Sequence, residues 1–135
     1  HAKLQKRFGD DRRMHIHCLV DNVPQLMHSA DLFITKPGGL STTEAAACGL
    51  PMVLMDTVAG CEGHNLAFFL QRGGAVTADT PRLLADTAMA LLADPERLRA
   101  MSDALRPAEA QTPAEQIYDC LCRPQTRLDT AQRYA

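Results

Sequence analysis

Lys36-Pro37-Gly38-Gly39-Leu40-Ser41-Thr42-Thr43-Glu44 is the stretch whose residue types and spacing could do chemistry. The run from Leu32 to Thr35 before it is short, apolar and β-favouring, and reads as a buried strand. Pro37-Gly38-Gly39 breaks that strand and turns the backbone through conformations that other residues resist. Ser41 and Glu44 have the spacing of a capping box, and Ala45-Ala46-Ala47-Cys48 continues as helix. Gly49 and Pro51 stop it. The product is a helix N-terminus behind a turn with almost no side chains, at the carboxyl end of a strand. Amide donors and the helix dipole make such a place favourable for an anion, typically phosphate. A plain structural turn would carry the same pattern, and Glu44 in a capping box would only satisfy backbone donors. Neither the Walker A spacing nor GxGxxG is present.

Other chemistry-bearing residues are scattered. His15 and His17 share one face of an expected strand, but no third ligand is near them, so no metal site is expected. The five cysteines, Cys18, Cys48, Cys61, Cys120 and Cys122, form no CxxC pair and are expected to be buried thiols of a reducing cytosol. Cys61, in a loop next to the expected ligand, is the one to watch for reactivity.

The elements that must position these residues alternate. A helix over residues 2 to 9 ends at Gly9, and Met14 to Val20 alternates as a strand. Asp21-Asn22 caps a short helix through Val23, Leu26 and Met27, with Pro24 in its first turn. After the glycine turn and its helix, Met52 to Met55 forms the third strand, whose end opens into the loop Asp56 to Gly63. His64 to Arg72 is a helix with Leu66, Phe69 and Leu70 on its apolar side, closed by Gly73-Gly74, and Ala75 to Thr77 is a short fourth strand. Helices follow: one opened by Pro81 that buries Leu83, Leu84, Ala88, Leu91 and Leu92, one after Asp94-Pro95 with Leu98, Met101 and Leu105, and one from Thr112-Pro113 with Ile117, Tyr118 and Leu121. Pro107 interrupts between the last two, and 123–135 is a polar tail expected to fray. Strands alternating with helices imply an α/β fold with a right-handed, Rossmann-like parallel sheet. Ligands of such sheets sit outside the carboxyl ends of the strands, where Val20-Asp21-Asn22, Lys36 to Ser41 and Thr57 to Asn65 converge.

A chain of 135 residues is enough for one core. Its hydrophobic share of 46% and charged share of 22% are those of a soluble globular protein. A net charge of −2 gives no broad basic surface, so nucleic acid is not an expected partner. No apolar run reaches the roughly eighteen residues that span a bilayer. The chain begins His1-Ala2-Lys3 with neither Met nor an apolar h-region, so we expect a fragment.

Ala30-Asp31-Leu-Phe-Ile-Thr-Lys-Pro-Gly-Gly-Leu-Ser-Thr-Thr-Glu-Ala45 resembles the nucleotide-sugar site of glycosyltransferase family 28. That family includes the lipid II N-acetylglucosaminyltransferase, the monogalactosyldiacylglycerol synthases and the processive diacylglycerol glucosyltransferases. A second block, Val58 to Ala75, follows at the family's distance, and its Ala59-Gly60-x-Glu62-x-x-Asn65 pattern resembles the glycolipid branch. The resemblance covers about residues 5 to 122. It implies two facing Rossmann-like domains, the GT-B fold, of which 1–122 would be part of the C-terminal, nucleotide-sugar-binding one. The leading strand with its glycine loop, and the whole N-terminal acceptor domain, would be missing.

By that resemblance the Val20 backbone would bond the uracil ring, and the amides of Gly38, Gly39, Leu40 and Ser41 would hold the diphosphate. Glu44 would accept from both ribose hydroxyls, which one carboxylate can do with its two oxygens. Glu62 would face the hexose hydroxyls with His64 and Asn65 beside it; Asn65 could instead cap the following helix. Glu62 stands where the peptidoglycan branch has glutamine, which argues against an N-acetylhexosamine donor. Lys36 fits a phosphate partner or a solvent-facing lysine. The implied enzyme is an inverting UDP-sugar hexosyltransferase acting on a lipid acceptor, diacylglycerol first. Amides at the helix start would stabilise the leaving diphosphate, no cofactor or metal is expected, and no Asp-x-Asp motif is present. The catalytic base and the lipid site would belong to the missing domain, so this piece alone would be inactive. Location would be cytoplasmic, with any attachment to the inner face of the membrane coming from that domain. The rival reading is a non-catalytic nucleotide-sugar-binding subunit that works with a membrane partner, as in the dolichol pathway. An epimerase of the same fold finds no support in Lys36-Pro37-Gly38-Gly39.

Overall fold

The computed structural model describes residues 1–55, 60–106 and 113–122. Seven helices and three strands are present among them: α1 (Ala2–Phe8), α2 (Val23–His28), β1 (Phe33–Thr35), α3 (Gly39–Ala47), β2 (Met52–Met55), α4 (Cys61–Arg72), β3 (Ala75–Ala78), α5 (Pro81–Leu92), α6 (Pro95–Leu105) and α7 (Pro113–Cys122). The strands form one parallel sheet in the order β1-β2-β3, with Phe33 opposite Met52 and Met52 opposite Ala75. This is the Rossmann-like α/β arrangement expected. Because all strands run the same way, α3, α4 and α5 start at one end of the sheet, beyond its carboxyl edge.

β2 lies at the centre, and Met52, Val53 and Leu54 are fully buried. Its alternation sends side chains to two cores. Met52 and Leu54 pack with Met27, Ala45, Leu50, Phe69, Ala75 and Leu105, whereas Val53 packs with Ala78, Ala88, Leu91 and Met101. α6 reaches both layers, through Leu105 and Met101. A strand covered on both faces reads as a continuous apolar run, as Met-Val-Leu-Met does.

The helix boundaries follow from side chains that satisfy orphan backbone groups. Thr80 Oγ1 accepts from the Leu83 amide at 3.2 Å and Asp94 Oδ1 from the Arg97 amide at 3.0 Å, each ahead of a proline in the first turn. Gly49 follows α3 with φ of 64°, in the left-handed region where a β-carbon is strained.

Several expectations are corrected. Met14 to Val20 is not a strand: among the described residues no strand pairs with β1 on the side away from β2, and an alternating run without a ladder partner leaves its backbone to water, with Leu19 93% exposed. The fourth strand is therefore β3. α3 starts at Gly39 with Gly38 as its N-cap residue, so Ser41 lies inside the first turn and the Ser41–Glu44 capping box does not form. Asn22 precedes α2 without a side-chain cap. α4 starts at Cys61, three residues earlier than His64, which takes Glu62 and Gly63 out of the loop. Leu83 and Leu92 are exposed rather than buried, since α5 meets the core only along Leu84, Ala88 and Leu91. Cys18, Cys120 and Cys122 are exposed and Cys48 is half-buried, against the expectation of buried thiols. Pro107, the loop residues 56–59, the Cys61 side chain and the tail 123–135 lie outside the described residues. No helix among the described residues is long and apolar enough to cross a membrane.

Candidate nucleotide-sugar site

The β1–α3 turn places its donors by sterics and by two hydroxyls. Pro37 is fully buried and anchors the turn. The Gly38 amide donates to the Lys36 carbonyl at 2.8 Å, which folds the chain back on itself. Gly38 then adopts φ −74° and ψ 138°, the extended geometry of an N-cap residue. Thr42 Oγ1 donates to the Gly38 carbonyl at 2.7 Å and Thr43 Oγ1 to the Gly39 carbonyl at 2.6 Å. Such back-bonding takes up carbonyls of the first turn and leaves its amides untouched.

The amides of Gly39, Leu40 and Ser41 are the first three of α3, positions with no intrahelical acceptor. Nothing crowds this end. A β-carbon on Gly38 would meet no atom within 4 Å, Gly39 is exposed, and Leu40 is 83% exposed. Gly38 differs from the other three, because its own amide is already used by Lys36.

Glu44 is exposed, and its carboxylate has no hydrogen-bonding or ionic partner among the described residues. It lies three residues after Ser41 and four after Leu40, on the same face of α3. Cα–Cβ bonds on a helix tilt toward its N-terminus, the end that carries these amides. The bland role for Glu44, a capping box, is excluded by the helix start at Gly39.

The first turns of α4 meet this turn. Lys36 Nζ and Glu62 Oε1 form an ion pair at 3.0 Å, with both side chains solvent-accessible. Asn65 Nδ2 donates to the Pro37 carbonyl at 3.0 Å. Asn65 sits in the second turn of α4 and caps nothing there. Lys36 is thus solvent-facing, as one of its two expected readings had it, and is paired with Glu62. His64 is exposed beside them, and Val20 is half-buried on the segment before α2, with no hydrogen bond to the turn among the described residues. So the structure ties Lys36 and Pro37, just ahead of the free amides, to Glu62 and Asn65, keeps Glu44 on α3 outside those hydrogen bonds, and leaves Val20 and His64 outside them as well. Thr42 was not singled out in the sequence, where a threonine inside a helical run carries no signal; its complete burial is what marks it. A shallow hollow on α2, lined by Pro24, Gln25, His28 and Ser29, includes none of these residues. No cluster of three or more potential metal ligands is present among the described residues.

A parallel α/β sheet with a helix start open to an anion at its carboxyl edge is an arrangement many unrelated ligand-binding folds share, and the family comparison narrows the class. The family model for glycosyl transferases group 1 matches residues 4–106, so the chain belongs to that family of GT-B glycosyltransferases. It is 30% identical over 132 residues to a processive diacylglycerol beta-glucosyltransferase of Bacillus subtilis (strain 168), covering 98% of this chain and 34% of the relative. It is 37% identical over 103 residues to a protein of the same description from Bacillus cereus (strain AH187), covering 76% of this chain and 26% of the relative. The chain therefore spans about a third or less of the length of these curated relatives.

Proposed function

We propose that this chain is the donor-binding part of an inverting glycosyltransferase that takes a UDP-sugar and passes its hexose to a lipid acceptor, diacylglycerol first. The observation that carries the reading is the placement, on one face of α3, of three helix-start amides and the Glu44 carboxylate, none of which has a partner among the described residues. The amides of Gly39, Leu40 and Ser41 would take the diphosphate, and Glu44 the ribose hydroxyls. The lipid acceptor is supported by the description of the relatives as diacylglycerol glucosyltransferases. It also makes a glucosyl donor the first to try.

As the acceptor hydroxyl attacks the anomeric carbon, the bond to the diphosphate breaks and negative charge grows on the leaving oxygens. Amides already aimed at that position stabilise the charge without reorganising. A cofactor is not needed for this part of the work. The acceptor site and the general base would lie in the portion of the relatives that this chain does not span, and this chain alone would then not turn over.

Calorimetry with UDP, comparing the chain with Glu44→Ala, tests the reading. Weakening by about 1–3 kcal/mol, the usual cost of a lost hydrogen bond to a charged group, supports it. Equal binding by both removes Glu44 from the site. Absence of binding by both, repeated on a protein carrying the remaining portion, would overturn the donor site.

A further inference from the structure

The Pro37–Gly38 peptide is held at both ends. Its oxygen accepts from Asn65 Nδ2 at 3.0 Å, and its N–H donates to the Lys36 carbonyl at 2.8 Å. A peptide unit is planar, so gripping the oxygen on one side and the N–H on the other sets the orientation of the whole plane. The next amide along the chain is that of Gly39, the first of the three free donors. A β-carbon on Gly39 would lie 3.7 Å from Asn65 Nδ2, which seats the Asn65 amide against the turn itself. Pro37 is buried on its ring side, so the plane has no slack there either.

We propose that Asn65 is a positioning residue for the diphosphate: through the Pro37 carbonyl it locks the peptide plane that aims the Gly39, Leu40 and Ser41 amides. This assigns Asn65 neither to the hexose nor to a helix cap, the two roles its place in the sequence suggested. The inference rests on the nucleotide-sugar reading above. The Lys36–Glu62 ion pair spans the same junction, but both partners are exposed, and pairs of that kind contribute little. The Asn65 contact is half-buried and joins residues 28 apart in the chain. It is the stronger of the two ties.

The test uses Asn65→Ala and Asn65→Asp, the second nearly isosteric but unable to donate to a carbonyl. UDP and UDP-glucose are titrated calorimetrically into each variant and into the parent chain. Positioning of the diphosphate predicts a loss of about tenfold, and the same factor for both ligands, in the range expected for one hydrogen bond. Loss with UDP-glucose while UDP binds unchanged would make Asn65 a hexose ligand and overturn the proposal. A second readout needs no ligand. Amide exchange followed by NMR should show the Gly38 N–H exchanging faster in both variants at an unchanged melting temperature. Unaltered Gly38 exchange overturns the proposal. If the parent chain fails to bind UDP, the proposed function fails, and the exchange measurement still decides whether Asn65 holds the turn.

Discussion

The side chain of Leu105, near the end of α6, fills the space a β-carbon would occupy on Gly74, just before β3. Leu105 is 3% exposed and belongs to the core shared with Met52 and Leu54. Glycine is required there by packing rather than by backbone dihedrals. Gly74→Ala would push Leu105 Cγ and Cδ2 into a filled core, at a cost of about 1–3 kcal/mol. Urea unfolding followed by circular dichroism measures it, and a variant as stable as the parent would show that α6 can shift.

Arg72, the last residue of α4, donates from Nε to the Ala104 carbonyl and from Nη2 to the Arg106 carbonyl, both at 2.9 Å. These are carbonyls at the end of α6, which lack intrahelical partners. Arg72→Ala should lower stability by about 1–2 kcal/mol. Arg72→Lys should recover less than half of that, because one ammonium cannot span two carbonyls as the planar fork does. Thermal unfolding of the three proteins orders them.

Thr42 is fully buried, with its hydroxyl on the Gly38 carbonyl. Thr42→Val keeps the shape and removes the hydrogen bond, and Thr42→Ser keeps the bond and removes a methyl group. Each should cost about 1 kcal/mol, by different routes. Faster exchange of the Gly39 to Ser41 amides in Thr42→Val, and not in Thr42→Ser, would identify the hydroxyl as the support of the turn.

Hydrogen bonds from the Arg13 side chain, and then from its backbone amide, hold the Asp11 carboxyl below the usual carboxylate value. A depressed value stabilises the fold at neutral pH, and that contribution fades as pH falls through the folded value. Arg13 is exposed and Asp11 is half-exposed, so solvent screens the effect. Asp11→Asn should leave the acid limb of the unfolding profile between pH 7 and pH 3 superimposable on that of the parent.

The α/β alternation, β1, β2, β3 and the helices after Thr80 and Asp94 were legible because each has local punctuation: Pro37-Gly38, Gly49-Pro51, Gly73-Gly74, Pro81 and Pro95. The helix start at Gly39 was not, since Ser41 and Glu44 have the spacing of a cap while the structure uses Thr42 and Thr43 to bind the turn from below. Nor was the fate of Met14 to Val20, because strand formation depends on a neighbour that local pattern does not describe. The turn and Glu44 could be found in the sequence. The contacts Asn65–Pro37 and Lys36–Glu62 could not, as they join residues 28 and 26 apart.

Among the described strands β2 alone has a neighbour on each side, and the two crossovers that reach it each carry a helix. No ladder among the described strands can form without it. Hydrogen exchange should therefore divide the sheet unevenly, with Val53 and Leu54 opening only on global unfolding while β1 frays from its free edge. Folding should likewise wait for two long loop closures onto one four-residue strand. The chain is then expected to assemble its sheet slowly and in a single step.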